Sequence, residues 1–436
     1  MNQNERVQLE RETVHYHWVL RLQTGCKAIF SDGRRACLAF IYVAVMTALW
    51  LLRTPLFVWA GYDAPPFLQE PRFGQLYLAV SLAGLLGLIL LFGTPIGWKS
   101  IQNDLRRIGL VNHIGEAPYP VTIQKDKTNP RVNVMEFEAC GIPRSEWEDK
   151  REKVEAVLNV HVAKITQGKE KRRVLLYTVA RGCALPSVLR WQDEFLSGKD
   201  FELALGESVL GPVTVNLAQI PHVLLGGSTG SGKSVLLKLL LMQCVRKGAS
   251  VMIADFKGGV DFPNVWHEKC RMLFEKEDLL AYLTQLVEEL ERRKESFRSV
   301  GCSNIRQYNE HSEGTYHRIV FACDEVAELL DKNGLNRGEK ELISKVENKL
   351  SVIARQGRAF GIHLILATQR PDATLLTGQI RNNLDCRICG RADSVLSQII
   401  LDNTDASDRI PKEAQGRFLL HGGTLFQGYL FDEETL

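Results

Sequence analysis

From Gly227 to Ser234 the chain reads GSTGSGKS, and these residue types at this spacing suit one task, holding a polyphosphate. Glycines at Gly227, Gly230 and Gly232 admit backbone conformations closed to other residues. The N–H groups running through Ser228, Thr229 and Ser231 can therefore turn inward on an anion. Lys233 brings a cation to the outer phosphates, and Ser234 offers a hydroxyl to Mg2+. The apolar run HVLLG precedes this turn and a helix-forming run follows it, so the positive end of a helix points at the same anion. The expected cofactors are ATP or GTP, and Mg2+.

Three other apolar runs end in chemistry-bearing residues. RIVFACDE closes on Asp324 and Glu325. Acids at the tip of so apolar a strand need a cation nearby to offset their lost solvation. Asp324 is expected to hold Mg2+ through water, and Glu325 to orient and deprotonate an attacking water. LILATQR ends on Gln369, suited to sensing the terminal phosphate, and ADFKGG puts Asp255 and Lys257 at a further tip. Strand tips of an open α/β sheet that share the carboxyl edge meet where such folds bind ligands. Cys386 and Cys389 form a C-x-x-C in a strand-like run with no second ligand pair nearby, and read as structural.

Those strands must alternate with helices, and from about residue 201 to 436 they do: HVLLG, SVMIADF, HRIVFACDE, GIHLILATQ and CRICG, then RFLLHGGTLFQGYLF as a closing hairpin over Gly422–Gly423. The acidic end FDEETL reads as a frayed tail. With 436 residues, two or three units are expected. A net charge of +3 announces no global nucleic-acid field, and the 10 cysteines scattered through apolar segments exclude a disulfide framework.

Residues 1–35 are polar and basic, with no small-residue cleavage site after the first apolar run, so a cleaved signal peptide is not expected. Residues 36–98 form an expected transmembrane hairpin, with spans over about 36–53 and 75–97 and interfacial anchors at Trp50, Trp59 and Trp98. Basic residues before the first span and after the second put both termini in the cytoplasm at the plasma membrane. Residues 99–200 read as a small membrane-proximal α+β domain. Within it Pro143, Ser145 and Glu148 open a capped helix to about Val160, and KEKRR forms a solvated hairpin turn.

Four stretches together resemble the FtsK/SpoIIIE family of DNA-pumping ATPases: PHVLLGGSTGSGKS, ERRKESFRSVGCSNIRQYNE, KLSVIARQGRAFGIHLILATQRPD and TGQIRNNLDCRICGR, covering roughly residues 205–430. The resemblance implies a RecA-like P-loop core that assembles as a hexameric ring around DNA. It implies an arginine finger reaching a neighbouring subunit, from Arg358 or Arg381. It also implies sequence-blind phosphate contacts from the basic set Arg292, Arg293, Lys294, Arg298 and Arg306. Two spans and an end soon after the last core strand are most similar to the FtsK-type coupling proteins of Gram-positive conjugative elements. That similarity implies a relaxase and a type IV secretion channel as partners. A chromosome-partition translocase and a protein-secretion ATPase are the alternatives. A non-catalytic scaffold is disfavoured because phosphate loop, magnesium acid and base are all intact.

Overall fold

A computed structural model describes residues 18–19, 21–30, 33–61, 63, 65–93, 97–127, 129–180, 185–312, 314–369 and 378–436. Most of the basic N-terminal segment, and the RPD of the fourth-strand run, lie outside these. The chain divides into two compact units, Met1–Arg181 and Gly182–Leu436.

The first unit opens with two helices long and apolar enough to cross a membrane, α1 (Gly33–Leu51) and α2 (Pro71–Phe92). Neither buries any of its apolar window in protein. A helix apolar on every face needs an apolar solvent, which favours lipid. The second was expected over about 75–97; it starts earlier because Pro71 suits the first helical position, and it ends at the Gly93 cap. Contacts between the two satisfy polar groups locally. Tyr42 donates to the Ser81 carbonyl at 3.0 Å and Tyr77 to that of Met46 at 2.6 Å. A Cβ on Gly84 would sit 2.0 Å from the Tyr42 hydroxyl, so only glycine leaves room for the ring.

Beyond α3 (Trp98–Arg107) comes a four-stranded antiparallel sheet of β1 (Tyr119–Lys125), β2 (Val132–Glu138), β3 (Val160–Gln167) and β4 (Arg173–Ala180), in the order β1-β2-β4-β3. The expected capped helix differs. Pro143 is the N-cap and carries no side-chain cap, so no Ser145–Glu148 box forms. Glu148 turns instead to Arg151 at 2.6 Å. The helix also breaks at Lys150 into α4 (Arg144–Asp149) and α5 (Arg151–Leu158). The KEKRR run does turn a hairpin, but its last residue, Arg173, is buried against Glu138.

The second unit is built on a long mixed sheet. Its parallel part runs β10 (Arg271–Leu273), β9 (Ser250–Ala254), β11 (Ile319–Cys323), β12 (Ile362–Thr368), β8 (His222–Gly226) and β13 (Cys386–Cys389). It continues antiparallel through β14 (Arg417–Leu420), β15 (Thr424–Leu430), β6 (Glu202–Ser208) and β7 (Gly211–Asn216), with β5 (Leu189–Arg190) beside β15. Strand residues alternate between two cores. Leu224, Met252, Phe321 and Leu364 face α7 (Lys276–Ser299), α8 (Val326–Leu330) and α9 (Arg337–Phe360). Val223, Val251, Val320 and Ile365 face α6 (Lys233–Arg246). Helices on both faces are what a parallel sheet requires.

Three features of this unit were not expected. Strands β6 and β7 extend the sheet where no strand was expected. Their alternation is interrupted at Gly206, where a Cβ would lie 1.9 Å from the Gln427 carbonyl and the register shifts. Residues 185–200 pack here rather than with the small sheet: Trp191 and Phe195 meet Tyr429, and Arg246 pairs with Asp193 at 2.5 Å. The C-terminal end is pinned rather than frayed, because Glu433 accepts from Lys238 at 2.7 Å and from the Trp266 indole at 2.8 Å.

Candidate active site

The parallel register sets the ends of five strands side by side. Gly226 pairs with Thr368 and with Cys389, and Cys323 pairs with Leu366 and Ala254. The residues that follow those ends, 227–234, 324–325, 369 and 255–257, therefore emerge along one edge.

The glycine-rich loop is shaped by its lack of side chains. Gly230 and Gly232 have φ of 75° and 94°, and a Cβ on Gly227 would come within 2.5 Å of the Ser231 hydroxyl. Gly232 caps α6 without any side chain, so no residue of the helix covers its positive end. The Ser231 hydroxyl is buried and has no hydrogen-bond partner among the described residues. A buried donor left unmade is costly, and an anion in the loop would satisfy it.

Lys233 is buried and donates at 2.7 Å both to the Asp324 carboxylate and to its carbonyl. Ser234 donates to the same carboxylate at 3.3 Å. Lys257 approaches it from the β9 end at 3.4 Å. Burial alone would push the Asp324 carboxyl up; the charges of Lys233 and then Lys257 outweigh it and hold the group below its ordinary range. Ser234 and Asp324 thus converge with an ionised carboxylate and a hydroxyl, a hard-oxygen donor set that fits Mg2+.

Glu325 is gripped from β12. The Thr368 hydroxyl donates to its Oε1 at 2.8 Å, and the Gln369 backbone N–H donates to Oε2 at 3.0 Å. Gln369 therefore touches Glu325 through its main chain. Its side-chain carbonyl accepts from the Thr229 hydroxyl in the phosphate loop at 2.8 Å. One residue links the loop to the acid at the strand tip.

Asp255 lies outside this constellation and ties its own loop, accepting from the backbone N–H of Lys257 at 2.9 Å and of Gly259 at 3.1 Å. Arg358 is exposed on the last turn of α9, and Arg381 pairs with Asp402. Neither is among the residues bonded to the phosphate loop. Arg391, which the sequence reading did not single out, is. Its guanidinium donates to the Thr229 carbonyl at 2.7 Å and to that of Lys412 at 2.6 Å, while its carbonyl accepts from the Ser228 N–H and hydroxyl, each at 2.8 Å. The available signal was its position just past the end of CRICG, an adjacent strand tip. Thr368, one residue before Gln369, was missed because a threonine at a strand end is ordinary.

The basic set on α7 also divides. Arg293 is buried, paired with Glu289 at 2.7 Å and donating to the carbonyls of Phe360 at 2.6 Å and His317 at 2.9 Å. It is an internal strut, and its expected phosphate contact is corrected. Arg292 and Arg306 are exposed, beside Glu289 and Glu310. Cys386 and Cys389 are both buried in β13.

The FtsK/SpoIIIE family model matches residues 197–321. A DNA translocase FtsK of Staphylococcus aureus is 30% identical over 265 residues, which are 56% of this chain and 32% of that protein. One of Helicobacter pylori is 30% identical over 225 residues, 48% of this chain and 25% of that protein. This chain spans about a third or less of the curated relatives it matches. The solved monomer form of the pCW3 conjugation coupling protein TcpA, with ATPγS, is 34% identical, with a TM-score of 0.58. The match covers 77% of this chain and 96% of that one. Phosphate loop, acidic strand tip, mixed α/β sheet and these matches lead to one conclusion: the chain belongs to the FtsK/SpoIIIE family of P-loop ATPases.

Proposed function

We propose that this protein is a membrane-anchored, ATP-driven DNA motor that serves as the coupling protein of conjugative DNA transfer. The observation that carries the ATPase chemistry is the meeting of Lys233, Ser234, Asp324 and Glu325 at one sheet edge, with Glu325 oriented from Thr368 and Gln369. The similarity to TcpA over nearly all of that chain supports the conjugative role. The two apolar helices support a membrane anchor.

In this reading the N–H groups of residues 227–232 cradle the phosphates, and Lys233 neutralises charge on the outer ones. Ser234 and Asp324 hold Mg2+, which when bound neutralises phosphate charge. Glu325 accepts a proton from the attacking water, its carboxylate held in one orientation by two donors from β12. Gln369 reports the state of the loop to Glu325 through Thr229. An arginine from the next subunit of a hexameric ring, Arg358 or Arg381, completes the site. DNA is gripped through its phosphates without regard to sequence. A relaxase and the channel proteins of a secretion apparatus are the partners.

Glu325→Gln tests the centre of this proposal: hydrolysis should be abolished while ATP binding stays near wild type. Wild-type hydrolysis in that variant refutes the assignment of the base. DNA stimulation of the wild-type ATPase, measured at two salt concentrations, tests the motor. Stimulation that weakens as salt rises is expected; no stimulation by any DNA would turn the reading towards a protein substrate.

A further inference from the structure

Within the first unit, a pocket of about 780 Å³ opens beside the C-terminal end of α2. Lys27, Arg35, Lys169 and Arg173 line it, against Glu136 and Glu170. Leu91 and Phe92, the last turn of the apolar helix, form its greasy side. We propose that this pocket binds the headgroup phosphate of an anionic phospholipid, with the acyl chains running along α2.

The site is built rather than incidental. The helical stretch 21–30 crosses the end of α2 backbone to backbone: a Cβ on Gly25 would lie 2.0 Å from the Ile89 carbonyl. Arg21 donates to the Leu90 carbonyl at 3.3 Å, and the Thr24 hydroxyl to that of Gly93. That crossing fixes Lys27 against the sheet. On the opposite wall, the Arg173 side chain is only 8% exposed. Its Nη1 pairs with Glu138 at 3.4 Å but makes no hydrogen bond among the described residues. A buried guanidinium N–H with an unmade hydrogen bond is a costly arrangement, and a phosphate oxygen would supply the bond that this ion pair leaves unmade.

The acids do not cancel the basic lining. Four basic residues line the pocket against two acids, and Glu170 is taken up by Arg172 at 2.6 Å. Lys27 and Lys169 remain exposed at the rim. Basic residues set at the end of a spanning helix meet the depth at which lipid phosphates lie, and basic pockets there select anionic headgroups. A free phosphate shares the charge but leaves the Leu91–Phe92 side uncovered, so the lipid is the better fit.

This inference rests on α1 and α2 spanning a membrane. Extraction of the full chain from membranes by alkaline carbonate would overturn that reading and this one together. For a chain that resists extraction, the full-length protein in detergent is titrated with phosphatidylglycerol or phosphatidylcholine, and bound lipid is counted by native mass spectrometry. Retention of phosphatidylglycerol over phosphatidylcholine is expected, with a loss of roughly tenfold or more in Lys27→Gln/Lys169→Gln. These rim residues are exposed, so the double variant keeps the fold. Arg173→Lys, which keeps the charge and removes the fork, should bind more weakly than wild type. Equal binding of the two lipids, an undiminished double variant, or competition by inorganic phosphate that displaces all bound phosphatidylglycerol at equal concentration would each overturn the proposal.

Discussion

Thr368→Val isolates the orientation of Glu325 from its charge. Thr368 is 2% exposed and its hydroxyl donates to Glu325 Oε1 at 2.8 Å. Valine replaces that hydroxyl with a methyl group of nearly the same size, so no cavity opens. Among the described residues, what is lost is one hydrogen bond to a charged acceptor, worth about 1.5–3 kcal/mol. The Gln369 N–H still donates at 3.0 Å, so the carboxylate is held by one anchor in place of two and can swing. If the whole loss falls on the hydrolytic transition state, kcat drops roughly 10- to 100-fold. If it falls on folding, a domain of this size melts about 2–4 °C lower for each kcal/mol. Steady-state ATP hydrolysis, nucleotide binding and thermal unfolding measured on one preparation separate the two. The expected outcome is a lowered kcat, unchanged nucleotide affinity, and restoration in Thr368→Ser, which keeps the hydroxyl. A Thr368→Val protein with wild-type kcat and a lowered melting temperature refutes the reasoning, since Thr368 would then hold the fold and not the base.

Other perturbations follow from the same geometry. Asp324 has a folded-state value below its ordinary one, so its contribution to stability is present above about pH 3.9 and is lost as the pH falls through the folded value. Lys257→Met removes one of the cations that lower it, so the acid-unfolding midpoint, followed by circular dichroism, should move to higher pH. Arg293→Gln should lower stability by roughly 2–5 kcal/mol, because the carbonyls of Phe360 and His317 lose their donor and Glu289 keeps only the exposed Arg292, while leaving the salt dependence of DNA binding unchanged. A changed salt slope with unchanged stability would restore its role as a phosphate contact. A fragment beginning at Gly182 should fold and hydrolyse ATP. One beginning at Phe201, which lacks Trp191 and Phe195 against Tyr429, should melt several degrees lower in a thermal scan.

Much of the site was legible because its parts are local. A glycine-rich turn between an apolar strand and a helix is specified within a dozen residues, and acids at the end of RIVFAC stand out against their apolar run. The two helices long and apolar enough to cross a membrane were legible for the same reason, as unbroken stretches without charge. What escaped depends on partners distant in the chain. Arg391 meets Thr229 only because β13 pairs with β8. Arg293 looks like a surface charge in a basic run, and its burial follows from the packing of α7 against α9 and the end of β11. FDEETL reads as a loose end until Lys238 and Trp266 come to meet Glu433.

By itself, then, the sequence determined the phosphate loop, the acids and the length and apolarity of two segments, since spacing and hydropathy act over a few turns of chain. Tertiary structure alone decided which residues hold those acids in place. The parallel register sets Gly226 beside Thr368, and so brings Gln369 onto Thr229, 140 residues away in sequence, and onto Glu325, 44 residues away. Strand order is a property of the folded sheet, settled by the burial of two apolar faces at once, and no short stretch of the chain encodes it.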